Sequence, residues 1–423
     1  MTQLQKITCS ILLLTSAVLA EDNSSNKQER SHSVREVVGK VGALEVKNMS
    51  IVDNFKRMFS EGKVSGRIRA MYGGYIQKKV SEPDTYALAV GGILKYELAE
   101  FNGFSGATAV YTSHDVSGLT GKNSKHNPDF SSSSGSYTEM AEAYLNYNYK
   151  DLNFRLGRQI IDTPLADSDD IRMIQNSFNA VIVTYELKGI TFMAGNLQSW
   201  QGYDADLDNS WQAIGDKGAN LVGASYHDGV EFNLWYYNIT QNTNAIYLDF
   251  GIEYKINEDV FIHTVGQYLK ENELETSGYA ANIYGALFEF VIDDLAFSVA
   301  FDKSKKIAGK QSFSGSGGGT MFTSMDTMII DEIANDRDVF AYVGGITYNM
   351  DNFGFLYAHG DFIGNANSAG KKARILEHDI GAEYNVNDEF LVSAIYVISE
   401  DKESSIKTSY DWNRVQIMVN YNF

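Results

Sequence analysis

Cysteine is all but absent: the one such residue among 423 is Cys9. It precedes the N-terminal apolar run, so it is not placed as a lipid anchor at a cleavage site. The remainder of the chain can form neither disulfides nor thiolate metal sites. Proline is nearly as scarce, three residues against 37 glycines, which suits many strands joined by turns. No segment after residue 20 approaches the roughly 18 consecutive apolar residues of a spanning helix. Basic charge is in deficit, 35 Lys and Arg against 54 Asp and Glu, for a net charge of −19. That balance argues against a nucleic-acid partner and fits either an attraction for cations or merely acidic, solvated external loops. Catalytic signatures are missing as well. There is no G-x-S-x-G elbow and no H-E-x-x-H pair, and the seven histidines are scattered, each read more readily as a girdle or loop residue than as a ligand.

What the chain does have is aromatic residues, 26 Tyr and 23 Phe, dispersed in short apolar pieces. Met1 to Ala20 carries Lys6, an apolar run from Ile11 to Leu19, and small residues at Ala17 and Ala20. This reads as a secretory signal peptide cleaved after Ala20. Residues 21–62 form an N-terminal periplasmic segment. Its Glu21 to Arg35 part is polar enough to be disordered. From Ser50 to Phe59, the spacing of Ile51, Val52, Phe55, Met58 and Phe59 predicts one face of a short helix, either a tether at the barrel mouth or a plug in the pore.

From residue 63 to the end the hydrophobic period becomes two. Eighteen candidate strands of about ten residues or slightly more, the length tilted membrane strands need, fall near 64–75, 85–99, 104–114, 138–149, 152–161, 179–188, 190–200, 219–228, 230–239, 244–256, 260–271, 278–292, 295–305, 336–350, 353–363, 375–386, 390–401 and 411–423. In the last, Val415, Ile417, Val419, Tyr421 and Phe423 lie opposite Arg414, Gln416, Asn420 and Asn422. Short breaks such as Lys150-Asp151, Asp293-Asp294 and Asp351-Asn352 alternate with breaks that are mostly long, notably 115–137, 162–178, 201–218 and 306–335. A closed up-and-down barrel gives this alternation, with one rim of hairpins and one of loops. The expected fold is therefore an all-β transmembrane antiparallel β-barrel of about 18 strands, spanning 63–423.

Glu61 to Tyr72 (EGKVSGRIRAMY), Leu156 to Val181 (LGRQIIDTPLADSDDIRMIQNSFNAV), Thr320 to Met328 (TMFTSMDTM) and the closing strand resemble the OprD-like outer-membrane porins, in their epsilonproteobacterial version. The resemblance implies an eighteen-stranded barrel in the outer membrane of a Gram-negative bacterium. It also implies that the third and seventh external loops, here 162–178 and 306–335, fold inward to narrow the pore. The better-known branch of that family lines its lumen with a long ladder of basic residues, of which this chain has only part.

Alternation alone points Arg67, Arg69, Arg155 and Arg414 into the lumen, and barrel closure sets the first strand beside the last. Opposite them the third loop offers Asp162, Asp167, Asp169 and Asp170, with Arg172 among them. A basic wall facing an acidic loop would set up a transverse field that selects solutes by charge. The same groups could equally be salt bridges that hold the loop to the wall. Asp204, Asp206 and Asp208 invite a structural calcium ion. However, Asn209 and Gly215 stand where an EF-hand-type loop wants Gly and Glu, so they remain weak ligand candidates and no cofactor is required. Ser314 to Thr320 (SGSGGGT) lacks the Lys of a phosphate loop and reads as a mobile turn.

The leading function is passive diffusion of small hydrophilic solutes or ions; a barrel hydrolase and a surface adhesin are the alternatives. About sixteen to eighteen strands leave an aqueous lumen, more than a dry-walled enzyme barrel needs. Expected partners are outer-membrane lipid, lipopolysaccharide and small polar or charged solutes, with a homotrimer as the oligomeric expectation.

Overall fold

The computed structural model describes residues 51–78, 83–116, 127, 129–209, 211–403 and 410–423. The leader and residues 21–50 lie outside the described residues. Helix α1, Ile51–Ser60, precedes the first strand. The strands are β1 Lys63–Gln77, β2 Thr85–Glu97, β3 Phe104–Asp115, β4 Ser136–Tyr149, β5 Leu152–Gln159 and β6 Ser177–Leu187. They continue as β7 Ile190–Gln201, β8 Ala219–His227, β9 Val230–Ile239, β10 Thr243–Lys255, β11 Val260–Glu273 and β12 Ala281–Ile292. The last six are β13 Leu295–Ser304, β14 Val339–Met350, β15 Phe353–Gly364, β16 Ala373–Asn385, β17 Phe390–Asp401 and β18 Trp412–Asn422. A two-residue strand, Gln212–Ala213, adds to the edge of β7.

Each strand pairs antiparallel with its sequence neighbours, and β1 pairs with β18 from Arg67↔Asn422 to Gln77↔Trp412. The sheet is thus closed and has no free edge, which is how a sheet satisfies its backbone groups in lipid. The expected eighteen strands are all present. The largest boundary differences are at β12 and β14, which begin at 281 and 339.

Alternation assigns the two faces. The outward side chains Ile68, Leu94, Phe250, Ile252 and Val299 are about half exposed or more (53, 56, 50, 49 and 60 %), an apolar exterior that makes sense only against lipid. Rings cluster beside the short turns, where Phe353 lies 4.3 Å from Tyr384, Phe390 4.6 Å from Tyr421, and Phe104 4.6 Å from Tyr147. They form the aromatic girdle of the rim where β1 begins and β18 ends.

The interior is not an empty tube. The loop 305–338 lays Met321, Met328, Ile330 and Ile333 against inward Tyr247, Leu269, Ile283, Val339 and Phe362. On the opposite side, Met173 and Ile174 of the loop 160–176 settle over Ala87, Ala89, Ala109 and Met71. The small residues of β2 and β3 leave the depth those loop side chains occupy. Both loops flagged by the family resemblance therefore fold into the barrel.

Candidate functional site

Between these two apolar clusters runs a polar seam. Arg67 and Arg69, two apart on β1, point inward with 8 % and 0 % exposure, and Arg414 of β18 has 1 %. Asp170 at the tip of the 160–176 loop accepts from Arg67 Nη2 at 2.8 Å and Arg69 Nη1 at 3.0 Å. Arg69 also donates through Nε to Asn420 Oδ1 at 2.7 Å and through Nη1 to the carbonyl of Arg172. Arg172 turns away from the wall toward the other loop, with Nη2 donating to the Asp326 carbonyl at 3.1 Å and Nη1 3.5 Å from its carboxylate. Arg414 donates to that same carboxylate. Its Nε lies 3.5 Å from Asp129, and its guanidinium lies 5.7 Å from the ring centre of Tyr75.

The seam is thus a chain of alternating charges drawn from β1, β18 and three loops. Burial alone would raise the carboxyl of Asp170, but Arg67 and then Arg69 outweigh it and hold it below its ordinary value. Asp326 is likewise held down against burial by Arg414 and Arg172. Both stay ionised, as a buried charge must when it faces guanidinium groups.

Wall and loop touch, the salt-bridged arrangement that the same residues also allowed. Asp170 and Arg172 are joined to Arg67, Arg69 and Arg414 in one network. Arg155 is elsewhere on the inner wall, its guanidinium 4.5 Å from the ring centre of Tyr144 and its Nε donating to Asn146 at 3.2 Å. Asp162 is exposed and accepts from the amide of Ser168 at 3.1 Å. Asp167 accepts from the amide of Asp169 at 2.7 Å, and Asp169 takes φ 40° to make that turn. Burial first, and then the charge of Asp162, pushes the carboxyl of Asp167 up to about 7. Asp169 is raised too, by burial and then by Asp204.

Reading one strand at a time missed the other wall. Glu377 of β16 accepts from the amides of Thr327 and Met328 at 3.0 and 3.3 Å, and from the Thr327 hydroxyl. Asp379 accepts from the Asp326 amide at 3.0 Å, Asp302 of β13 from the Thr323 amide at 2.8 Å, and Glu271 of β11 from the Phe313 amide at 2.8 Å. Inward carboxylates thus hold the backbone of the 305–338 loop. The only signal in the sequence was their phase on the strands, since the donors are main-chain amides of any residue type.

The glycine stretch at 314–320 is a correction. It is pinned rather than a mobile turn: Ser316 donates to the Leu165 carbonyl at 3.0 Å and accepts from the Asp167 amide at 3.1 Å. Thr320 donates to the Pro164 carbonyl. A Cβ on Gly317, which has φ +91°, would lie 2.3 Å from the Asp167 carbonyl oxygen, so glycine permits the two loops to join. The Asp204, Asp206 and Asp208 oxygens accept from Asn176 Nδ2, the Asp208 amide and the Ser133 amide respectively. Among the described residues no group of three or more His, Cys, Asp or Glu is placed to hold a metal ion.

A closed eighteen-strand barrel with a lipid-facing exterior and loops folded into its lumen defines an outer-membrane channel. Residues 112–423 match the outer membrane porin, OprD family, and the chain belongs to that family. No curated protein sequence matches it. Among solved structures it is similar to OpdK of Pseudomonas aeruginosa, a structure described with vanillate, at 15 % identity and a TM-score of 0.74, covering 86 % of this chain and 99 % of that one. It is also similar to OccAB3 of Acinetobacter baumannii, at 11 % identity and a TM-score of 0.73 with the same coverages. The family places the chain in the outer membrane of a Gram-negative cell and gives no support to the hydrolase or adhesin alternatives.

Proposed function

We propose that this porin passes small hydrophilic solutes by passive diffusion, without catalysis, and favours cations or zwitterions over anions. One observation carries the selectivity: the wall arginines Arg67, Arg69 and Arg414 are each engaged by a loop carboxylate. The exposed residues Asp162 and Asp204 accept instead from the Ser168 amide and from Asn176 Nδ2. A solute then meets guanidinium groups largely offset by Asp170, Asp326 and Asp129, next to carboxylates that, among the described residues, accept from no arginine, and charged rings of one sign set ionic selectivity. The vanillate of the OpdK structure motivates the opposite preference, for carboxylates, with the same arginines as receptors.

The reversal potential of the purified protein in a planar bilayer under a salt gradient tests the choice. Cation selectivity that falls in D162N/D167N/D204N supports it. Anion selectivity that is undiminished by those substitutions overturns it. The proposal includes lipopolysaccharide as outer-leaflet neighbour and assembly as a homotrimer, which chemical crosslinking of the solubilised protein would show or refute.

A further inference from the structure

The helix α1 is ten residues long and has a sharply divided surface. Val52, Phe55, Met58 and Phe59 share one stripe, and Asp53, Lys56, Arg57 and Ser60 the other. Met58 is buried at 7 %, at one edge of the stripe, while Val52, Phe55 and Phe59 are 61, 55 and 57 % exposed. An apolar face left this open in water is costly, so what covers it matters.

Its attachment shows where it lies. The Phe59 carbonyl accepts from the hydroxyl of Tyr96, and the Met58 carbonyl accepts from the Ala99 amide at 3.0 Å. Tyr96 alternates with Lys95 and Glu97 on β2 and shares the outward face with Leu94, which is 56 % exposed. The helix is therefore fastened to the outside of the barrel, not to its lumen. It sits at the short-turn rim, where Val64 is 61 % exposed, Phe104 57 % and Phe423 48 %. The uncovered stripe of α1 continues the apolar exterior of the barrel at the level of the girdle.

We propose that α1 is an interfacial anchor lying in the periplasmic leaflet of the outer membrane, with Val52, Phe55 and Phe59 among the acyl chains. Lys56 and Arg57 on the opposite face are positioned for the headgroups, the arrangement of an amphipathic helix lying in the plane of a bilayer. The Arg57–Glu61 pair, Nε to Oε1 2.9 Å, staples the last turn of the helix to the chain entering β1. The anchor therefore holds α1 clear of the pore.

Because Cys9 is the only cysteine, spin labels can be placed singly in a C9S background. Full-length F55C and K56C proteins would be labelled and reconstituted into vesicles of phosphatidylethanolamine and phosphatidylglycerol. Their relaxation would then be measured with oxygen, which concentrates in lipid, and with a water-soluble nickel chelate. A severalfold higher oxygen-to-nickel accessibility ratio at position 55 than at 56 is expected. Equal, nickel-dominated access at both positions overturns the proposal. So does a label at 55 shielded from both reagents, which would mean a protein neighbour or the chain's own residues 1–50. Both substitutions replace exposed side chains, and heat-modifiable migration confirms that each barrel is folded.

Discussion

The guanidinium of Arg69 donates to the carboxylate of Asp170 at 3.0 Å from a side chain with no exposed surface. Arg69 belongs to the first strand of the barrel and Asp170 to a loop about a hundred residues later, so this contact ties the closure seam to the constriction. It shows why tie and field are one feature here. The charge that fixes the loop is charge withdrawn from the solute, and selectivity passes to the carboxylates left over.

Replacing Asp170 with Ala leaves Arg67 and Arg69 buried without their counter-charge. Breaking a buried pair by removing one partner costs on the order of 3–5 kcal/mol. Most of that cost can be relieved by moving the 160–176 loop off the wall, which rehydrates both arginines. The expected outcome is a larger and noisier single-channel conductance with selectivity shifted toward anions. Unchanged conductance together with unchanged heat resistance would show that Asp170 does not hold the loop.

Glu377 bears on the other loop. Glu377→Ala removes the acceptor for the buried Met328 amide and for the half-buried amide and hydroxyl of Thr327, a fully buried group costing about 1–3 kcal/mol if left unmet. We expect new proteolytic cleavage within 305–338 on folded protein. Glu377→Gln should be far milder, because its amide oxygen can still accept. Equal resistance of wild type and E377A would show that the apolar packing of Met328 and Ile330 suffices.

Much of this was legible one strand at a time. Alternate residues from Ile246 to Tyr254 on β10 and from Val415 to Tyr421 on β18 face lipid as their period of two requires. The inward set, including Arg67, Arg69 and Arg414, follows from the same parity. Two things could not be read that way. The register slips between Ala109 and Val110 against β4, and again between Asn179 and Ala180 against β7, shift the phase without changing composition. The carboxylate partners of Arg67, Arg69 and Arg414 are loop residues chosen by the folded path of the chain. Asp326 lies inside a motif noticed for other reasons, and Asp129 inside none.

The protonation of Asp167 gives a pH dependence with a definite sign. Its carboxyl is raised to about 7 by burial and by Asp162. It therefore favours the folded-in loop most below the unfolded carboxyl value near ~4, and loses that contribution as pH rises through about 7. Asp331, raised to about 6 by burial, works in the same direction on the second loop. Between pH 6 and 8 the constriction gains negative charge while its loops are held less firmly. Cation selectivity in bilayer recordings should rise over that interval, and D167N should flatten the rise. A selectivity independent of pH in the wild type would remove Asp167 from the conduction path.

The last residue closes the barrel. Phe423 donates its amide to the Gly66 carbonyl and accepts from the Gly66 amide, both at 3.0 Å. Its ring lies 6.0 Å from Tyr421 in the girdle. Deleting Phe423 removes both hydrogen bonds, at about 1 kcal/mol each, from the pairing that leaves the sheet without an edge. Gly66 admits this approach because a Cβ there would lie 2.3 Å from the Ile93 carbonyl oxygen and 2.8 Å from the Phe423 ring. Removing Phe423 and replacing Gly66 with Val should therefore converge on one defect, a lower folded fraction on heat-modifiability gels, while Asn422→Ala, which spares these backbone bonds, should match wild type. If the truncated chain folds in full yield, the seam is held by the Arg67-to-Gln77 pairing alone.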